Sequence, residues 1–299
     1  MLDNNEFTLT ETVLAQMAGT KNPRLKEVME CAIRHLHAFA RDIKLTPEEW
    51  LAGIKFTTAV GQASTALRQE TILLSDVLGL SAMVNALHDE CRADASSDSS
   101  LLGPFFREGA PLLPAGAQIV QHRTGPEIVI YGRIGDGMGR PIENASIEIW
   151  QTDELGRYDL QANHDQSMDM RGSFRTDAEG RYYFRTVRPV SYSIPMDGPV
   201  GQLIHLQNRH GSRPAHIHFL VAAEGYRELV TALYFGDDPC IDSDTVFGVS
   251  KSLIIEEKSD ASSPFPTLKS INYDFNLGRN TKGNSGRVGA DASVLMKAI

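Results

Sequence analysis

Apolar residues recur every three or four positions as far as about residue 90 and every second position beyond residue 126, so the chain passes from helical to strand-like patterning. Asn22-Pro23 offers an N-cap followed by proline at the first helical position. Leu25, Val28, Ala32, Leu36 and Phe39 then build one apolar stripe. Thr46-Pro-Glu-Glu49 has the form of a capping box and predicts a further helix with Trp50 and Ile54 on its apolar face. Residues from Ile72 to Leu87 predict another, bent near Gly79. The stretch from Arg92 to Ser100 is rich in Ser and Asp and lacks apolar periodicity, which marks a connection.

After it come short alternating or apolar runs: Glu127 to Gly132, Ala145 to Trp150, Arg181 to Arg185, His216 to Val221, and Leu229 to Phe235. Gly, Pro and Asp separate them, as in a β-sandwich. The expected fold is mixed α and β (α+β), with a helical region over residues 1–100 and a β-sandwich domain over residues 101–299. No repeat of 20 to 50 residues is seen in the sequence.

Composition narrows the partners. A formal net charge of -9 and a pI near 5.5 argue against nucleic acid and anionic membrane surfaces. Small molecules are the expected ligands. Cys31, Cys91 and Cys240 are odd in number and widely spaced, which fits reduced cytosol better than a disulfide framework. No basic and apolar leader opens the chain, and no run of 18 apolar residues occurs. A soluble cytoplasmic protein without membrane insertion is expected.

His216 and His218 are two apart in an expected strand, so both rings emerge on one face from Cα atoms roughly 6.5–7 Å apart. Both can reach one ion. Arg213-Pro214 just before them brings a permanent cation beside that point. Taken singly, Tyr158 and Tyr192 read as ordinary packed tyrosines. The chain has no Walker loop or dinucleotide fingerprint. Cys240 and the remaining histidines (His35, His37, His88, His122, His164, His205 and His210) are expected to be structural or at the surface.

From Ile130 to Tyr158 the chain carries Gly132, Ile134, Gly139, Ile142, Ile147-Glu-Ile149, Gly156 and Tyr158 in an order and spacing that resembles the signature of intradiol ring-cleavage dioxygenases. The resemblance implies that Tyr158, Tyr192, His216 and His218 hold one non-haem Fe(III) per subunit and that Arg213 is the active-site arginine. Charge and hardness agree with it. Phenolate oxygen favours a hard ion, and a phenol that titrates near pH ~10 needs a strong positive charge to stay ionised at neutrality. Two phenolates and a hydroxide would neutralise a trivalent ion, which eases its burial.

Part of the same run, Gly132 to Ile147, also resembles the opening hairpin of prealbumin-like sandwiches, which bind sugar or protein without metal. A zinc hydrolase using the two histidines is a third possibility.

Within the dioxygenases, Ile72 to Gly79, Leu101 to Phe105, Tyr192 to Pro195 and Asp242 to Val249 are most similar to the members that cleave hydroxyquinol (1,2,4-trihydroxybenzene). Catechol and chlorocatechols are the alternative substrates. The resemblance implies ring contacts from Leu73, Asp76, Leu102, Gly103, Pro104, Phe105, Ile194, Pro195 and Val246. It gives Tyr192 and Arg213 catalytic roles, with dioxygen as co-substrate and 3-hydroxy-cis,cis-muconate, or its tautomer maleylacetate, as product. Asp76 would pair with the third hydroxyl; otherwise it caps a helix beginning near Ser75. Ala232 stands where catechol-cleaving members commonly carry glutamine. The resemblance also implies a homodimer through the N-terminal helices, with a lipid enclosed at the interface.

Overall fold

The computed structural model describes residues 5–6, 8–65, 68–90, 96–121, 125–162 and 167–280. Cys91, His122, His164 and residues 92–95 of the expected connection lie outside them. The described chain forms two compact units, one up to Thr57 and the other from Thr58 to Asn280.

The first unit holds α1 (Leu9–Gln16), α2 (Pro23–Asp42) and the start of α3 (Pro47–Ala63). The starts of α2 and α3 are those that the side chains dictate. Asn22 Oδ1 accepts from Leu25 N at 3.0 Å at the head of α2. Glu49 N donates to Thr46 Oγ1 at 3.2 Å while Thr46 N donates to Glu49 Oε2 at 2.9 Å, completing the capping box of α3. Helix α1 was not anticipated; it is eight residues long and has no side-chain cap. A hydrogen bond of 3.0 Å between Thr10 Oγ1 and His37 Nδ1 joins it to α2. None of the residues of α2 is buried, and Leu36 and Phe39 of its stripe stay more than half exposed.

The second unit begins with α4 (Glu70–Val77) and α5 (Leu80–Glu90), which meet at a 70° bend. Gly79 takes φ +73 there, a conformation that glycine adopts without strain. Beyond them come β1 (Glu127–Asp136), β2 (Ser146–Gln151), α6 (Asp159–Ala162), β3 (Arg171–Arg175), β4 (Arg181–Val187) and β5 (Tyr192–Ser193). Next are α7 (Pro199–Leu206), β6 (Ser212–Arg213), β7 (His216–Ala222) and β8 (Leu229–Phe235). The short strands β9 (Ile254–Ile255), β10 (Lys258–Ser259), β11 (Lys269–Asn272) and β12 (Phe275–Leu277) end the described chain.

Two five-stranded sheets form. One runs β3-β2-β7-β8-β9; in the other, β1 pairs with β4 and, through successive segments, with β11 and β12. Between those segments Tyr273 passes so close to β1 that a Cβ on Gly132 would lie 1.9 Å from its carbonyl oxygen, so only glycine fits. Alternate residues of facing strands fill one core: Ile128, Ile130 and Phe184 from one sheet, Ile147, Ile149, Ile217 and Phe219 from the other. This is a sandwich, and with the helices it gives the expected α+β class.

Three turns of the unit have one design. Asp136-x-x-Gly-Arg140, Asp153-x-x-Gly-Arg157 and Asp177-x-x-Gly-Arg181 each place the glycine at φ between +71 and +75. In each, the aspartate accepts from the backbone N–H groups two and four residues on and pairs with the arginine guanidinium. The middle turn delivers Tyr158.

Candidate active site

Strand β7 alternates between two environments. Ile217, Phe219 and Val221 enter the sandwich core, so His216 and His218 emerge on the opposite face of the sheet, where both are almost fully buried. Trp150, the register partner of His218 on β2, stacks on its ring at 4.9 Å and 4°. On the other side His218 pairs with Ala232 of β8. Gly103, at φ +73, brings backbone so close that a Cβ there would lie 3.5 Å from His218 Nε2.

The two tyrosines arrive from separate segments, Tyr158 just after the middle turn and Tyr192 at the start of β5. Tyr158 is fully buried, stacked on Phe105 with centroids 4.4 Å apart, and its hydroxyl lies 3.5 Å from His216 Nε2. Tyr192 sits edge-on to Tyr158 at 5.6 Å and equally far from the His216 ring. A Cβ on Gly156 would come within 2.7 Å of Tyr192 Cβ, so the turn that delivers Tyr158 also sets the seat of Tyr192. Thus the structure brings Tyr158, Tyr192, His216 and His218 together.

The donor chemistry suits a highly charged ion. His216 Nδ1 lies 2.7 Å from the Pro214 carbonyl, which can only accept, so the ring proton sits on Nδ1 and Nε2 keeps its lone pair. Burial pulls both histidines well below their usual pKa and keeps them neutral; for His218 the nearby His216 and Arg213 add to this. Their Nε2 atoms approach to 3.1 Å, so the two rings present these nitrogens to one point.

Burial, reinforced by Tyr192, pushes the Tyr158 phenol well above its ordinary value, so the protein alone does not hold a phenolate there. The Leu101 backbone favours the protonated His218 ring, but among the described residues the buried Nδ1 has no partner in hydrogen-bond geometry. Among the described residues no three His, Cys, Asp or Glu side chains converge on a point, so an ion at this centre needs the phenols. The arrangement fits a trivalent transition metal.

Arg213 is buried beside the cluster, with Nη1 3.2 Å from His216 Nε2. Its Nε and Nη2 donate to Asp244 Oδ1 and Oδ2 at 3.0 and 3.2 Å, and Nη2 also donates to the Tyr234 hydroxyl at 3.2 Å. Burial opposes the charge, but Asp244 together with Tyr192 and Tyr234 outweighs it and holds the guanidinium well above its usual pKa. The Tyr234 phenol, pushed up to about 12 chiefly by burial, stays protonated and hydrogen-bonds Ser100 Oγ at 2.8 Å.

Leu73, Phe105, Ile194 and Val246 are buried, and Gly103, Pro104 and Pro195 lie in the loops that carry them. Leu102 is exposed, whereas its neighbour Leu101 is buried. Asp76 is buried within α4, not at the head of a helix, and lies in the fields of Arg213 and Asp244. Burial raises its pKa, with the Ser81 hydroxyl working the other way.

Sequence reasoning missed the groups that brace this cluster. Arg171 donates to Asp159 at 2.6 and 2.7 Å and to the Phe105 carbonyl at 2.8 Å, fixing the residue after Tyr158 and the ring stacked on it. Arg107 adds a second ion pair to Asp159 at 3.0 Å. Asp244 lies in a segment noted for ring contacts, but its pairing with Arg213 spans 31 residues.

The family model described as "Dioxygenase" matches residues 101–279, and that described as "Catechol dioxygenase N terminus" matches residues 22–96. The chain belongs to the intradiol ring-cleavage dioxygenase family. Enzymes of this family use non-haem Fe(III). The chain is 43% identical over 254 residues to a 6-chlorohydroxyquinol 1,2-dioxygenase of Cupriavidus pinatubonensis, covering 85% of this chain and 92% of that one. It is 45% identical over 247 residues to a hydroxyquinol 1,2-dioxygenase of Rhizobium sp., covering 82% and 83%. Among solved structures, a hydroxyquinol 1,2-dioxygenase from Pseudomonas putida superposes with a TM-score of 0.83 at 38% identity, covering 92% of this chain and 99% of that one. This dioxygenase is therefore an enzyme, and the prealbumin-like and hydrolase readings are set aside.

Proposed function

We propose that the dioxygenase opens hydroxyquinol between its adjacent hydroxyl-bearing carbons and yields 3-hydroxy-cis,cis-muconate, which tautomerises to maleylacetate. The observation that carries this choice is Asp76: a buried carboxylate on α4, beside Arg213, supplies an acceptor for the third hydroxyl. A site built to pair a substrate hydroxyl discriminates strongly against the ring that lacks it. The likeness to enzymes named for hydroxyquinol and 6-chlorohydroxyquinol supports the same reading.

Tyr158, Tyr192, His216 and His218 are the residues that hold one ferric ion per subunit, and the bound ion supplies Lewis acidity together with the electron-accepting character that makes a diolate reactive towards dioxygen. Tyr192, the least buried of the four, takes a substrate hydroxyl proton on its Oη as the diol binds. Arg213 stabilises the negative charge that develops on ring oxygen, a role suited to a guanidinium already oriented by Asp244 and Tyr234. Phe105, Ile194, Leu73 and Val246 wall the ring and exclude water, with Gly103 and Pro104 shaping the approach over His218. Leu102 and Pro195 complete the rim.

Residues 101–299 carry this chemistry and residues 1–100 pair two subunits in the cytoplasm, the exposed Leu36, Phe39, Trp50 and Ile54 enclosing a lipid between them. Oxygen uptake with hydroxyquinol, catechol and 4-chlorocatechol tests the substrate assignment. Hydroxyquinol is expected to turn over fastest, and faster catechol turnover rejects the assignment. A purified protein without red tyrosinate-to-iron colour at full metal loading rejects the ligand set.

A further inference from the structure

We infer that Arg209 is a positioning residue that sets the width of the ring pocket by tying the end of α4 to the segment 244–248. The inference rests on the reading that Leu73, Asp76 and Val246 face the substrate ring. Arg209 Nη1 donates to the Val77 carbonyl at 2.9 Å and Nη2 donates to the Thr245 carbonyl at 2.7 Å. Val77 directly follows Asp76. Thr245 stands between Asp244, which orients Arg213, and Val246. One guanidinium thus grips, from one side chain, two walls that are 132 and 36 residues away in sequence.

The chemistry of the two acceptors explains the choice of arginine. Val77 closes α4, and the last carbonyls of a helix lack partners within it, so a cationic donor satisfies one and matches the negative end of the dipole. A planar fork offers each carbonyl its own nitrogen in a fixed geometry, which a single ammonium nitrogen does not. The fork also lies 5.2 Å from the Phe247 ring centroid. Phe247 is held at φ +59, rare for a bulky residue, and its ring packs over Gly79, 3.4 Å from where a Cβ there would sit. The bend between α4 and α5, Phe247 and Arg209 therefore interlock. Arg209 itself is anchored through its own N–H to the Ile204 carbonyl of α7 at 3.1 Å.

The test uses the iron-loaded enzyme and the variants Arg209→Lys and Arg209→Met, titrated with hydroxyquinol without oxygen and then assayed with it. Losing two carbonyl contacts is expected to raise Kd and KM about tenfold in Arg209→Met while kcat stays within about threefold of wild type. Arg209→Lys, which keeps the charge and can keep one contact, is expected to fall between, and both should keep the iron colour. A Kd for both variants within about twofold of wild type, a kcat loss as large as the KM change, or loss of colour in Arg209→Lys overturns the inference. The wild-type preference among diols tests the substrate reading separately: if another diol is turned over faster, the same titration is repeated with that diol.

Discussion

Tyr192 and Arg213 are register partners on the β5–β6 ladder. The phenolate proposed to take the substrate proton and the guanidinium proposed to meet the developing charge are therefore held by one pair of short strands. Behind Arg213, Asp244 is fastened in turn: its carboxylate accepts from Gly248 N at 3.0 Å and Val246 N at 3.3 Å. A displacement of the loop that carries Asp244 reaches the arginine directly and Tyr192 through the ladder.

Asp244→Asn is expected to cut kcat by about two orders of magnitude, because the guanidinium loses the partner that aims it. Removing one member of a buried pair also leaves an uncompensated charge, worth about 3–5 kcal/mol, so the melting temperature should fall clearly. Iron should remain, since Asp244 is not among the proposed ligands. Turnover and calorimetry on the coloured protein check this; unchanged kcat would remove Asp244 from the mechanism.

Tyr158→Phe keeps the ring that stacks on Phe105 and removes only the oxygen. The fold should persist while the visible charge-transfer band and most of the bound iron are lost. Metal analysis alongside the absorption spectrum measures both, and a variant with full iron and undiminished colour would show that Tyr158 is not a ligand.

Much of this was legible because it is local. The capping box at Thr46, the cap at Asn22, the break at Gly79 and the paired faces of His216 and His218 each follow from residues within four positions of one another. Helix α7 went unforeseen: Gly198 gives no side-chain cap, leaving Pro199 at N1 and the Val200/Ile204 pair as its signals. Strand β3 is only five residues long, and its place rests on pairing with β2. The bracing of Tyr158 by Arg171 and Asp159, and of Arg213 by Asp244 and Tyr234, joins side chains that the sequence leaves far apart.

Asp76→Asn should separate substrate choice from stability. Burial raises the carboxyl pKa in the folded state, so folding favours the protonated form. That contribution is fully present below the unfolded-state pKa and is lost as pH rises through the folded-state value. Above the folded-state pKa the ionised Asp76 therefore works against the fold, and in that range Asp76→Asn is expected to melt higher than wild type. Hydroxyquinol turnover should fall by about tenfold or more while catechol turnover changes little. In the wild type the hydroxyquinol preference should weaken as pH falls and Asp76 takes up a proton. Equal losses on both substrates would count against the contact with the third hydroxyl.

The apolar stripe of α2 gives a prediction about assembly. A helix of 20 residues with none buried, carrying Leu36 at 65% exposure and Phe39 at 54%, leaves a face that a second subunit would cover. Light scattering after size exclusion should return twice the chain mass at micromolar concentration. Leu36→Glu with Phe39→Glu should return the single mass, and a wild-type monomer would remove the dimer proposal.

The three Asp-x-x-Gly-Arg turns allow an internal control. Asp136 and Asp153 make the same two backbone contacts and the same arginine pair, and Asp136 is held at about pKa 2, first of all by the Arg140 side chain. Its stabilising effect is present above the unfolded-state pKa and is lost as pH falls through about 2. Replacing either aspartate with alanine should lower the melting temperature by a similar few degrees, since each removes one turn of the same kind. Only Asp153→Ala should also weaken iron retention and colour, because its turn alone delivers Tyr158 and seats Tyr192 through Gly156. If Asp136→Ala loses iron as readily as Asp153→Ala at equal stability, the effect is general loosening of the sandwich and the middle turn has no special part in placing the tyrosines.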